Sequence, residues 1–236
     1  MAKSNTIDRD ILNAEPTFRR YRYLVHKINS MSLARALQYE ILDSYVFQGD
    51  VLDFGGGDKA NYRNLIKCSS YKSINIDKDA EPTWVVGIDD EIPCEESSFD
   101  TVVSMNTLEH IFDARSALDQ MYRVLKPGGE LVLSVPFLFP VHGHPDDYFR
   151  PTPSWFYTAL AISGFRDIKV SPLSWGTRST SITCFGLSGP AKGLRKHIAL
   201  AMDLLYAWLC RCFHRRKNAD LFQVRAASAF FVCAKK

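Results

Sequence analysis

The sequence has no Cys-x-x-Cys pair, no internal repeat and no low-complexity tract, and its opening MAKSNTIDRD has no apolar core of the kind a secretion signal needs. Its six cysteines (Cys68, Cys94, Cys184, Cys210, Cys212 and Cys233) are scattered, which excludes a disulfide framework and sets a reducing, cytoplasmic location as the expectation. The nearest approach to a metal spacing is Cys210, Cys212 and His214. Alternate residues point apart on a helix and no second ligand pair follows, so no metal is expected. Long hydrophobic runs are also missing. The longest near-apolar stretch, Ile198 to Cys210, has thirteen residues and one charge, Asp203, and is too short to span a bilayer. Neither sign of charge dominates, with 29 basic against 26 acidic residues. Residues 192 to 217 nevertheless hold seven Lys or Arg against one acid, leaving 22 basic and 25 acidic elsewhere. A mildly acidic body with one basic segment is unlike a nucleic-acid binder, whose cations would spread over a binding face. It points to a local contact with something anionic.

What is present is a folded chain: 46% hydrophobic and 23% charged residues over 236 positions suit one domain with one good core. Helical spacing of Tyr21, Leu24, Ile28, Leu33, Leu37 and Leu42 predicts one or two helices before Gly49. Val51 to Phe54 is a short buried strand stopped by Gly55-Gly56-Gly57. A helix near Asn61 to Cys68 and strands near Ser73 to Ile76, Trp84 to Val86 and Thr101 to Ser104 follow. An amphipathic helix over 109 to 125 ends before Pro127-Gly128-Gly129 and the strand Leu131 to Val135. A helix Trp155 to Ser163 and strands Phe165 to Val170 and Ala226 to Ala234 complete the pattern, with a turn-rich stretch and the basic, apolar helix 192–217 between the last two. Such alternation predicts an α/β, Rossmann-like doubly wound sheet of seven mostly parallel strands with helices on both faces. The expected organisation is one domain, 1–236: an N-terminal helical segment 1–48, a cofactor-binding core 49–170 and a C-terminal part 171–236.

The first strand-to-helix turn of such a sheet is the usual ligand cradle. Asp53, Gly55, Gly56 and Gly57 lie in it, and Asp77 stands at the end of the next strand, twenty residues beyond Gly57, where a carboxylate can accept from ribose hydroxyls. Two cofactors fit this turn, because Gly55-x-Gly57-x-x-Ala60 also satisfies a dinucleotide pattern. Against an NAD(P)-dependent oxidoreductase stands Asp58, a negative charge where the pyrophosphate would sit. Downstream, VLDFGGGD, INID and SSFDTVVSMNTLEHIFDARSALDQMYRVLKPGGELVLSVPF resemble the motifs of class I S-adenosylmethionine-dependent methyltransferases, of the type 11-like kind, over residues 50 to 136 and less tightly to 170. That resemblance implies S-adenosyl-L-methionine as cofactor, with Asp53, the glycines and Asn106 at its methionine end and Asp77 at its ribose. It places adenine contact at Asp89, or one residue on at Asp90. Two positions depart from the family: the usual third glycine is Lys59, and the usual adenine-side acid is Ile88.

Beyond the fifth strand, HGHPDDYFRPT gathers His142, His144, Asp146, Asp147, Tyr148 and Arg150. A charged, proline-held loop at the carboxyl end of a parallel sheet is poorly explained as packing, since buried polar atoms need partners. It resembles the H-x-x-P-x-D-Y-x-R-x-T pattern of methyltransferases associated with glycan and natural-product pathways. Methyl transfer to a hydroxyl needs a positioned nucleophile and a base. His142 is the first candidate and His144 the second, because imidazole titrates near neutral pH. Asp147, Tyr148 and Arg150 are candidate substrate-binding residues. Arg150 can clamp a substrate carboxylate or phosphate, or pair with Asp147; Tyr148 is a substrate wall or a core residue; His110 is a catalytic or a capping residue. The expected function is O-methylation of a sugar, glycan-linked or other small-molecule hydroxyl, as in polysaccharide biosynthesis. The alternatives are the oxidoreductase and a non-catalytic methyltransferase-like subunit that binds a partner. Helix 192–217 suits either peripheral contact with the inner face of a membrane or packing as a lid or homodimer helix.

Overall fold

In a computed structural model of the chain, which describes residues 15–87, 90–143, 145–185, 190–212 and 225–236, seven strands form one sheet. They are β1 (Asp50–Phe54), β2 (Ser70–Asn75), β3 (Trp84–Val85), β4 (Phe99–Met105), β5 (Leu125–Pro136), β6 (Arg166–Leu173) and β7 (Ala229–Lys235). Their order is β3-β2-β1-β4-β5-β7-β6, parallel throughout except for β7, which runs antiparallel to both neighbours. The doubly wound, mostly parallel sheet expected from the alternation is therefore observed. Order reverses between β1 and β4, the switch point at which such sheets open a crevice beyond their carboxyl ends.

Among the described residues, six α-helices cover the two faces. Helices α1 (Phe18–Lys27) and α2 (Leu33–Leu42) start at Thr17 and Ser32, whose hydroxyls accept from the amides of Arg20 and Arg35. With α5 (Thr177–Phe185) and α6 (Lys192–Cys212) they lie on one face, around Leu37, Leu42, Val51, Val103 and Phe231. Helices α3 (Ala114–Val124) and α4 (Pro153–Ile162) lie on the other, around Leu118, Met121, Phe156, Leu160 and Phe230.

Three elements differ from the sequence expectation. The helix expected near Asn61 to Cys68 is a single 3₁₀ turn, Arg63–Leu65. Tyr62 is drawn inward to bond Asp53, and Ile66 is already extended on the way to β2, so no second helical turn forms to repay nucleation. Strand β5 begins directly at Leu125, with Gly128 at φ +80° turning the chain within it. Helix α5 was not expected at all. Its first amides, Arg178 and Ser179, donate to the buried carboxylate of Asp203 on α6, which caps it from another element. Of the basic helix 192–217, α6 accounts for residues to Cys212, and the remainder lies outside the described residues.

Candidate functional site

Gly55 follows β1 at φ +92°, a conformation that favours glycine, and a Cβ there would lie 2.2 Å from the Thr107 hydroxyl. This close approach lets β1 and the end of β4 form two sides of one cleft of about 310 Å³. Its polar lining is Asn75, Asp77, Asn106, Thr107 and His110, and its apolar walls include Phe54, Ile76, Val86, Ile111 and Pro145. Among the described residues, no lysine or arginine lines it. Asn75, missed by the sequence reading, donates from its amide to the carbonyls of Gly55 (2.9 Å) and Gly56 (3.2 Å) and so fixes the turn against β2. Asp77 accepts from the Asp79 amide at 2.8 Å, which aims one oxygen back along its own 3₁₀ turn.

The other expected cofactor residues divide. Asn106 lines the cleft at φ +55°, its side-chain amide donating to Gln38 of α2 at 3.0 Å. Asp53 does not line it. Fully buried, it accepts from Tyr62 (3.1 Å) and Tyr71 (2.7 Å), and burial pushes its carboxyl up to about 7 against those two hydrogen bonds. Gly56 and Gly57 are likewise behind the turn: a Cβ on Gly56 would meet Asp53, and one on Gly57 would lie 2.1 Å from the Ala80 carbonyl. Asp90 accepts from the Gly87 amide at 2.5 Å, and Asp89 lies outside the described residues.

Two of the amides after the glycines, where a pyrophosphate would sit, are engaged. Asp58 donates to the Glu81 carbonyl at 3.2 Å and Lys59 to the Ala80 carbonyl at 3.1 Å, and only a 3₁₀ turn follows, without the helix dipole a dinucleotide site uses. The oxidoreductase alternative loses its structural basis here.

The histidine loop meets the cleft at His110 and Pro145. Arg150 does not face outward to a substrate. Its guanidinium grips Asp147 through both terminal nitrogens, one to Oδ1 and the other to Oδ2 at 2.5 Å, and also donates to the Pro140 carbonyl at 3.3 Å. That pairing holds the Asp147 carboxyl down at about 2. Asp147 in turn accepts from the His142 amide at 2.9 Å and lies 3.4 Å from His142 Nδ1. Of the two expected bases, His142 is thus fixed by its loop, and His144 lies outside the described residues. Tyr148 is half-exposed, its ring against Phe112 at 5.5 Å.

Sequence reasoning missed Glu109 altogether. It is fully buried, neither carboxylate oxygen has a hydrogen-bond partner among the described residues, and desolvation pushes its carboxyl up to about 8. Its Oε1 lies 3.7 Å from His110 Nε2 and 4.0 Å from His142 Nε2. The only signal was an acid beside His110, flanked by Leu108 on one side and Ile111 and Phe112 on the other. Across Phe139, whose ring meets His142 at 5.2 Å, a second, mainly apolar pocket of about 210 Å³ opens between α1, α2, α5 and α6.

Residues 52–133 match the family model of a methyltransferase domain. The chain is 30% identical over 97 residues to the mitochondrial 2-methoxy-6-polyprenyl-1,4-benzoquinol methylase of Mus musculus, covering 39% of this chain and 29% of that protein. It is 33% identical over 92 residues to the demethylmenaquinone methyltransferase of Corynebacterium glutamicum, covering 36% and 40%. The chain therefore spans less than half the length of these curated relatives. Among solved structures, an S-adenosylmethionine-dependent methyltransferase from Archaeoglobus fulgidus shares the fold, with a TM-score of 0.53 and 17% identity over 92% of this chain and 97% of that one.

Proposed function

From the premise that this chain is a member of the class I S-adenosylmethionine-dependent methyltransferase family, we propose that it transfers a methyl group to a hydroxyl of a small acceptor with an apolar portion. The observation that carries the reading is the donor set that the described residues give the cleft: one carboxylate, Asp77, beside apolar walls, with no lysine or arginine among them to meet a phosphate. That set fits a cationic sulfonium nucleoside. Asp77 would take the ribose hydroxyls, Ile76, Val86 and Ile111 the adenine faces, and Gly55, Asn106 and Thr107 the amino-acid end. Asp53, Gly56 and Gly57 hold the shape of the turn from behind. Bound there, S-adenosylmethionine supplies an electrophilic methyl group on positive sulfur.

The acceptor would reach the cleft from the pocket beyond Phe139, and its hydroxyl proton would be taken at the cluster of Glu109, His110 and His142. Arg150 and Asp147 then act by holding the His142 loop, and Tyr148 with Phe112 forms an aromatic rim. Of the sugar, glycan-linked and other small-molecule hydroxyls expected from the sequence, the apolar lining from Ile28, Met31, Leu33, Ile182 and Leu200 favours one carried by an amphiphile. The acceptors for which the two relatives are named, a polyprenyl benzoquinol and demethylmenaquinone, accord with that choice.

Calorimetric titration tests the cofactor. S-adenosylmethionine should bind and NAD should not, and Asp77→Ala should weaken binding by about tenfold or more, the loss of a hydrogen-bonded carboxylate. Folded protein that binds NAD instead would overturn the reading.

Helix α6 bears on where such an acceptor is met. Leu194, Ile198, Met202, Leu205 and Leu209 expose a stripe along it, while Ala199, Leu200 and Asp203 face inward. No helix among the described residues is long and apolar enough to cross a membrane. A stripe with Lys192, Arg195 and Arg211 near its ends suits a helix lying on an anionic lipid surface.

A further inference from the structure

We infer that Glu109, His110 and His142 form a binding site for one divalent first-row transition metal ion, of which zinc is the natural probe. The three residues offer two imidazole nitrogens and one carboxylate oxygen, all within 4.8 Å of one another. Two imidazoles with a carboxylate are a donor set that such ions take, commonly with a further position open to an exogenous ligand.

The hydrogen bonds around the two rings assign their tautomers. His110 Nδ1 is in contact with the carbonyl oxygen of Asp146. A carbonyl only accepts, so Nδ1 carries the hydrogen and Nε2 of the neutral ring presents a bare lone pair. His142 Nδ1 has two acceptors, the Pro140 carbonyl at 3.3 Å and Asp147 Oδ2 at 3.4 Å. Arg150 Nη2, at 3.5 Å from the same nitrogen, also donates to Asp147 and Pro140 at shorter range. His142 Nε2 is therefore bare as well. Each imidazole thus donates its far N–H to an oxygen, the outer-shell arrangement that orients metal-bound histidines.

Both bare nitrogens face Glu109 Oε1, so three acceptors converge with no donor among them, and a buried carboxylate left that way is costly. A cation at the centre satisfies all three. A single proton on Glu109 can be shared with one of the two nitrogens at most and leaves the other without a donor. Metal–ligand bonds of about 2.1 Å in tetrahedral geometry put ligand atoms roughly 3.4 Å apart. The two carboxylate–imidazole separations, 3.7 and 4.0 Å, need contraction by roughly 0.3–0.6 Å, and the ligand atoms, all within 4.8 Å of one another, by at most about 1.4 Å, which a rotation of the half-exposed His142 ring can supply.

His110 lines the cleft, so the ion would sit in its wall, with its open position available to an acceptor oxygen. The use made of the ion rests on the methyl-transfer reading: with the ion bound, the three residues act as ligands in place of the proton-accepting role given them above, the ion would lower the hydroxyl's pKa, and the proton would pass to solvent water. Metal binding itself does not depend on that reading.

The test is titration of zinc, and of cobalt as a spectroscopic probe, into the chelator-treated full chain, with S-adenosylmethionine titrated separately. One ion per chain is expected, with a cobalt spectrum lacking thiolate charge transfer. His142→Ala, at a half-exposed position, should weaken binding at least tenfold, and Glu109→Gln should do the same. The inference fails if the wild-type chain binds no ion while S-adenosylmethionine binds, if either folded variant retains wild-type affinity, or if cobalt reports thiolate ligands. Loss of S-adenosylmethionine binding with the ion retained would overturn the function proposed above and leave the metal site standing.

Discussion

At the scale of single residues, Asp53 and Glu109 show how burial turns an ordinary carboxylate into a group that responds to its surroundings. Asp53 is legible in the sequence as an acid at the end of the first strand. Its partners, Tyr62 and Tyr71, are not, because nothing local marks a tyrosine as bonded across a crossover. The consequence is a stability that depends on pH. Burial raises Asp53 from 3.8 to about 7, so the folded chain keeps a proton there that the unfolded chain loses first. Its stabilisation is fully present below 3.8 and is lost as pH rises through about 7. Over that window the change is on the order of 4 kcal/mol. Asp53→Asn should flatten the fall in melting temperature of the wild type between pH 5 and 8. Parallel curves for the two proteins would show that Asp53 is ionised throughout. Glu109 left even less trace in the sequence, since its character comes from the closing of the histidine loop over it, where Tyr148 donates its amide to the Glu109 carbonyl at 2.9 Å.

Elements read well where their signal is local and poorly where another element supplies it. Strands β1, β4 and β7 and helices α2 and α4 carry their own apolar pattern and caps, and their positions follow from it to within a few residues. The sequence Thr177 to Phe185 has no apolar stripe, and α5 forms because Asp203, 24 residues after Ser179, caps it. The expected helix after the glycine turn fails for the converse reason, since its residues are held individually by Asp53 and by Arg63 over the Tyr71 ring at 3.7 Å. The turn itself is an element built by contact with the segment Lys78 to Glu81. Gly57→Ala should separate the two, because its Cβ would lie 2.1 Å from the Ala80 carbonyl. Displacing that backbone also displaces Asp77 beside it. The expected cost is about 1–3 kcal/mol in stability, as for other overpacked sites, with weaker S-adenosylmethionine binding. Chemical denaturation and calorimetry measure both. An alanine variant with wild-type values in each would mean that the turn is not the rigid support described above.

At the scale of the whole molecule, the basic and apolar character of the last third was visible in the sequence, but not which residues face which way. The structure divides it. Leu200 and Asp203 tie α6 to the body, Lys196 donates to the Ile28 carbonyl at 3.1 Å, and Leu205 and Trp208 remain more than half exposed. The apolar pocket lies under the inward side of the same helix, lined by Lys196, Ala199 and Leu200. If α6 lies on lipid, an amphiphilic acceptor would enter that pocket from the surface and need not cross water. Two effects should then act together: burial of the apolar stripe, and attraction of the cations to anionic headgroups, which is screened within about 8 Å at physiological salt. The full chain should therefore co-sediment with vesicles containing phosphatidylglycerol at low salt, less at high salt, and little with phosphatidylcholine alone. A double substitution, Leu205→Glu with Trp208→Glu, should abolish sedimentation and leave S-adenosylmethionine affinity unchanged, since neither residue lines the cleft. The competing use of the stripe, a contact between two copies, makes the opposite prediction. The chain would be a dimer in sedimentation velocity, would ignore vesicles, and would be split by the same double variant, and that result would remove the membrane from the account of how the acceptor is met.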